Sequence, residues 1–138
     1  MKVLVVGEGE IARKIGEGAA EAGASVEYSQ EYSEGYDLVF LDADKAVKNV
    51  KGIVALFHVY GLFAKRDAFE KALAKMGNAR LANQISLEKK GLLKNRLDEI
   101  DLERARAFGE RTVRNISGHK FEKKSEKQRI KGYRKQYR

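Results

Sequence analysis

Cysteine is absent from the 138 residues, which excludes a disulfide framework, a thiolate zinc site and any thiol nucleophile. Proline is absent as well, so no residue lacks a backbone donor and no helix carries an imposed break. Only two histidines occur, His58 and His119, and there is no Gly-x-Ser-x-Gly stretch. No catalytic triad or zinc motif can be assembled from that stock, and enzymatic activity has no positive support. Long apolar runs are missing too. The longest, Ile53 to Phe63, is too short to span a bilayer and contains His58, and the N-terminus enters a strand with no charged leader. These features predict a soluble cytoplasmic protein without membrane contact. Tryptophan is absent and methionine scarce while 35% of residues are charged, a Lys/Glu-rich balance that resembles archaeal and other hyperthermophile proteins.

Charge is what the sequence has in quantity, and it is segregated. The chain carries 28 Lys or Arg against 20 Asp or Glu. Residues 111 to 138 hold 11 of the cations and only Glu122 and Glu126, a local charge of +9, so the other 110 residues, with 17 cations and 18 anions, stand at −1. Phe121, Ile130, Tyr133 and Tyr137 lie between the C-terminal cations, mixing phosphate-seeking charge with rings that stack on bases. Such a segment cannot bury itself against its own domain, and a polyanion is the partner its chemistry suits.

The first half alternates strand and helix. Lys2 to Val6 is a short apolar run ending at Gly7, after which Ile11, Ile15, Ala19 and Ala22 recur at helical spacing up to Gly23. Ala24 to Tyr28 and Tyr36 to Leu41 read as further strands, with Asp42 to Val50 as a short connecting helix or loop. Gly52 to Gly61 suits a central strand or a buried helix, and its β-branched and aromatic content favours the strand. Phe69, Ala72, Leu73 and Met76 then mark a helix, and Ala79 to Ile85 can supply a last strand. From Ser86 the pattern turns to charged helices, with an apolar stripe through Leu93, Leu97 and Ile100 continued by Ala105, Phe108 and Val113. The expected architecture is an α/β domain over residues 1–85, a Rossmann-like parallel sheet of four or five strands. A charged helical extension follows over 86–117, then a basic tail over 118–138, hinged at Gly118. The C-terminal helices would either pack on the core or project from it.

Gly7-x-Gly-x-x-Ala12, placed after a strand and at a helix start, has the spacing of the dinucleotide-binding fingerprint. The stretch Val3 to Gly16 resembles the opening of Rossmann NAD-binding domains, in particular the TrkA-N type of potassium-uptake regulators, over roughly the first 45 residues. The resemblance implies NAD(P) on Gly7, Gly9 and Ala12, with an acidic residue after the second strand for the ribose. Here that place falls on Ser29 or Gln30, with Glu27 and Glu31 nearby, and Glu8 and Glu10 flank the central glycine.

Smaller signals carry two readings each. Asp42 and Asp44, after the third strand, suit Mg2+ or acid–base chemistry, or simply a helix cap. His58 can be a general base or a buried edge histidine. The lysines at 45, 48 and 51, and the cluster Lys89, Lys90, Lys94 and Arg96, either extend an anion-binding footprint or form solvated faces. Taken together the sequence points to an RNA-binding structural component of a ribonucleoprotein, ribosomal or ribosome-associated. RNA, foremost rRNA, and ribosomal proteins are the expected partners, and no cofactor is required. Arg111, Arg114, Lys120, Lys123, Lys124, Lys127, Arg129, Lys131, Arg134, Lys135 and Arg138 would neutralise phosphates while Tyr133 and Tyr137 stack. The alternatives are a small NAD(P)- or nucleotide-binding regulator or oxidoreductase relative, and a DNA-associated protein.

Overall fold

A computed structural model describes residues 1–60, 67–88 and 98–122, with side chains through Gly118. Strand β1, Lys2–Val6, is buried along both faces, which is why it reads as a continuous apolar run instead of an alternating one. Val3 and Val5 point into one side-chain cluster, Leu4 and Val6 into the other. Helix α1, Glu10–Glu21, buries Ile11, Ala12, Ile15 and Ala19. It closes with Gly23 at φ 100°, where the amide of Ala24 reaches back to the Ala19 carbonyl, a left-handed stop that glycine accepts without strain. Strand β2, Ser25–Ser29, pairs parallel to β1 on one side, and β3, Leu38–Asp42, on the other. A 3-10 turn, Ala43–Lys45, leads to β4, Ile53–Tyr60, then α2, Ala68–Met76, β5, Arg80–Glu88, and α3, Glu99–Glu122.

All pairings are parallel and the strand order is β2-β1-β3-β4-β5. That is the order of flavodoxin-like doubly wound sheets, whose switch point lies between β1 and β3. The chain is thus an α/β protein with a five-stranded parallel sheet, and the ambiguous run at Ile53 is its central-to-edge strand β4. Helices α1 and α3 cover one face. The other is covered by α2, by Ala43, Ala46 and Val50, and at its margin by Tyr32 and Tyr36. Among the described residues no helix is long and apolar enough to cross a membrane.

The C-terminal half differs from its sequence reading in three places and resolves a fourth that the sequence left open. The boundary expected after Ile85 falls inside β5, because Ser86, Leu87 and Glu88 continue the ladder opposite His58, Val59 and Tyr60. Backbone pairing along a long β4 outweighs their polar composition. The charged region 99–118 is a packed layer: Ala105, Phe108 and Val113 sit in the main core with α1, and the Phe108 ring meets Phe40 edge-on at 5.7 Å. Ile100, expected on an apolar stripe, is 69% exposed, and its companions Leu93 and Leu97 lie outside the described residues. Gly118 is not a hinge, since α3 runs through it to Glu122. A single helical glycine costs only about 1 kcal/mol, which the neighbouring turns absorb.

Helix α3 is anchored at its start and its middle. The Asp98 and Asp101 carboxylates accept each other's backbone N–H groups, a reciprocal cap built from two aspartates. Arg106 reaches Glu21 on α1 while also gripping Glu103 and Glu110 on its own helix. Its guanidinium holds the Glu103 and Glu110 carboxyls below the usual range, and their charge in turn raises the arginine.

Candidate functional site

The glycine turn lies between β1 and α1, as expected from sequence, and the strand order puts it at the switch point. Gly7, at φ 148°, could not carry a side chain: a Cβ there would lie 2.9 Å from the Phe57 ring and 3.4 Å from Asp42 Cβ. Its amide donates to the Ser29 carbonyl at 3.0 Å. Gly9, at φ 94°, precedes the first turn of α1 and faces open space. Ala12 is buried in the core, the close helix–sheet contact that a small third residue permits. The turn is therefore accounted for by packing at two of its three positions.

What surrounds it is acidic. Asp42, at the end of β3, accepts the Asp44 backbone N–H at 3.0 Å, the capping role open to it from sequence. Burial pushes the Asp42 carboxyl above its usual range, opposed by that N–H and reinforced by the neighbouring Asp44 charge. Gln30, at the position where a ribose-binding acid would stand, instead donates to Glu8 at 3.2 Å and accepts from Lys45 at 3.4 Å. These three side chains tie the loops after β1, β2 and β3 together across the crevice. Ser29 turns back on Glu31, its hydroxyl donating to that carbonyl at 2.9 Å. A dinucleotide pyrophosphate would have to approach between Glu8, Glu10 and Asp42, and Gln30, in the ribose-binding place, is already held by Glu8 and Lys45, so these residues are a poor fit for the cofactor that the fingerprint implies.

His58 is 6% exposed. Its ring stacks on Tyr60 and meets Phe69 edge-on, each at 6.1 Å, and Nε2 lies 3.6 Å from the exposed Asp44 carboxylate. This is a histidine enclosed by aromatics at a sheet edge and aimed at a surface carboxylate. Among the described residues no three His, Asp or Glu side chains gather as metal ligands.

The Asp42 shift has a consequence for stability. A carboxyl whose folded pKa is raised favours the fold below its unfolded pKa and loses that contribution as pH rises through the folded value. Asp42→Asn keeps an oxygen for the Asp44 amide and removes the desolvated charge. The variant is expected to melt higher than wild type at pH 7, and the gap should close toward pH 3. Thermal unfolding of the two proteins at both pH values checks this; a lower melting point at pH 7 would contradict the assigned cause.

Of the C-terminal cations, two lie on described surface. Arg111 is exposed on α3 and makes no ion pair among the described residues. Arg114, expected from sequence to be free for phosphate, shares Glu110 with Arg106, with both Nε and a terminal nitrogen 3.0 Å from Oε2. An exposed pair of this kind is worth about 1 kcal/mol or less, so a phosphate can compete for Arg114. Lys120 lies in α3 beyond the described side chains, and Lys123, Lys124, Lys127, Arg129, Lys131, Tyr133, Arg134, Lys135, Tyr137 and Arg138 lie outside the described residues. Of the lysine runs, Lys45 is engaged at the crevice while Lys48 and Lys51 are exposed. The cluster from Lys89 to Arg96 lies outside the described residues. The sequence reading missed the bridging role of Gln30, which no local pattern signals because its partners come from two other loops.

No protein-family model matches the chain, and no curated protein matches it. Among solved structures it is similar to the flavodoxin-like domain of a Synechococcus sp. protein. The two are 11% identical with a TM-score of 0.49, over 84% of this chain and 97% of that domain. The fold assignment rests on the strand order itself.

Proposed function

We propose that this protein binds RNA as a structural component of a ribonucleoprotein, ribosomal or ribosome-associated, with the α/β domain as scaffold and the basic C-terminal segment as the principal contact. The observation that carries the reading is charge segregation: +9 on residues 111 to 138 against −1 on the remainder. A body at −1 gives a polyanion no general attraction, and the acidic crevice at the switch point repels one locally. The attraction is concentrated at one end of the chain.

RNA is favoured over DNA by the rings among the cations. Tyr133 and Tyr137 gain from stacking only where bases are unstacked and accessible, which loops and bulges of folded RNA supply and an intact DNA duplex withholds. Shape and charge would do most of the recognition, with phosphates neutralised by lysine and arginine.

The test is sedimentation of the native protein in extract of its own cells. Co-migration with ribosomal subunits or another ribonucleoprotein, abolished by ribonuclease, is the expected result. A free peak near 15 kDa in low salt would count decisively against the proposal, and co-migration sensitive to deoxyribonuclease alone would turn it toward DNA.

A further inference from the structure

The sheet face opposite α1 and α3 has no helix between β2 and β3. In its place residues 30–37 bring Tyr32 and Tyr36 to the margin of the Leu4, Val39 and Leu41 cluster. A hollow of about 210 Å3 opens there, lined by Tyr32, Tyr36, Val39 and Lys51 with the backbone of Gly35 and Gly52.

Both tyrosines are fixed through their hydroxyls. That of Tyr32 accepts the Lys51 N–H at 3.1 Å and lies 3.4 Å from the Lys51 carbonyl, to which it donates. That of Tyr36 donates to Glu27 at 2.5 Å, and Lys2 Nζ, which does not line the hollow, stands 5.2 Å from the Tyr36 ring centroid. A carboxylate accepting the phenol proton raises the Tyr36 pKa, which keeps the hydroxyl a donor. Neither ring has much conformational freedom left to lose when something stacks on it.

We propose that this hollow receives one unpaired base of bound RNA, with Lys51 and Lys48 on the phosphates beside it. The inference rests on the RNA reading above and adds a second contact, on the domain itself. Its volume is below the roughly 300–1,000 Å3 of clefts for drug-sized ligands and matches a single heterocycle. Glu34, which also lines it beside Ser33, is an acceptor for a base edge. Lys51 leaves a backbone that Tyr32 holds in place, and Lys48 is exposed three residues before it. Fixed aromatic rings beside lysines are the combination that holds single-stranded nucleic acid with little sequence preference.

The experiment uses the full chain and a short single-stranded RNA carrying the fluorescent adenine analogue aminopurine, titrated at several salt concentrations. Tyr32→Leu with Tyr36→Leu keeps apolar bulk against the core and removes the ring faces. Affinity should fall about ten- to hundredfold at fixed salt, with an unchanged salt slope and loss of aminopurine quenching. Tyr32→Phe with Tyr36→Phe keeps the ring faces but releases their hydroxyl anchors, and should bind between wild type and the leucine pair while still quenching aminopurine. Lys51→Gln should lower the salt slope by about 0.7, one single-strand phosphate. If the leucine pair melts as wild type does and still binds and quenches as wild type does, the hollow is not a base site, while RNA binding through the C-terminal segment stands. If wild type binds no RNA at all, both proposals fall. If adenosine monophosphate shifts the amide signals of residues 32–35 and RNA does not, the hollow serves a free nucleotide and the assignment to RNA is overturned.

Discussion

A full-length variant with Lys120, Lys123, Lys124, Lys127, Arg129, Lys131, Arg134, Lys135 and Arg138 all replaced by glutamine is expected to lose RNA affinity by about four orders of magnitude at 0.1 M salt. The magnitude follows from counterion release. If about six of these cations engage phosphates, log K falls with log salt at a slope of roughly −4 to −5, and that whole term disappears with the charges. What survives is a shallow slope from Arg111, from Arg114 once freed of Glu110, and from the lysines on the domain. Fluorescence anisotropy across a salt series reads both quantities. Thermal unfolding of the variant checks that the fold is intact; among the described residues the last core contact of α3 is at Ile116. Equal slopes for variant and wild type would remove the basis for assigning RNA binding to this segment.

The second large effect is on stability, and it isolates the crossing of α1 and α3. At Gly18 an added Cβ would fall on the carbonyl of Arg106 and at Gly109 on that of Ile15. The obstructing atoms are helix backbone, so the clash is relieved only by moving the helices apart, which opens the cluster of Ile15, Ala19, Ala105 and Phe108. Overpacking of a close core contact costs about 1–3 kcal/mol and sometimes more, and the better helix propensity of alanine returns up to about 1 kcal/mol. Because backbone must move, the cost lies at the upper end of that range, and Gly18→Ala and Gly109→Ala should each destabilise by about 2 kcal/mol net, lowering the melting point by about 8 °C. The control lies on the same helix. Gly118 has nothing within 4 Å of an added Cβ, so Gly118→Ala should stabilise by about 0.5–1 kcal/mol. The same substitution thus changes sign within nine residues of one helix. Gly109→Ala melting at or above wild type would mean the helices are not in backbone contact.

Much of the fold is legible along the chain because its signals are local. The apolar run of β1, the glycine turn, the spacing of Ile11, Ile15 and Ala19, and Gly23 each act within a few residues. The same holds for Leu38 to Leu41 and for Ala72 and Met76. Legibility declines after Ile85. Ser86 and Glu88 are strand because β4 offers them a ladder, and nothing in their own composition announces it. Gly109 carries no local signal within its charged helix; it is the point where that helix touches another. For the candidate sites the division is similar. The cation cluster near the C-terminus needs only counting, whereas the hollow between Tyr32 and Tyr36 depends on a helix that the fold leaves out and on Lys51, nineteen residues from Tyr32 in sequence.

By itself the sequence determined the alternation of strand and helix in the first half, the absence of thiol chemistry, and the asymmetry of charge on which the proposed polyanion partner rests. Those properties follow from composition and short-range periodicity, which survive without any knowledge of neighbours. The tertiary structure decided that the glycine turn packs against Phe57 and Asp42, that its surroundings are acidic, and that α3 is a core layer joined to α1 through glycine backbone. It also decided that Arg106 and Arg114 engage carboxylates while Arg111 pairs with none among the described residues. Each of these depends on which distant residues meet, and electrostatic and packing energies are set by separation in space, a quantity the order of residues along the chain does not carry.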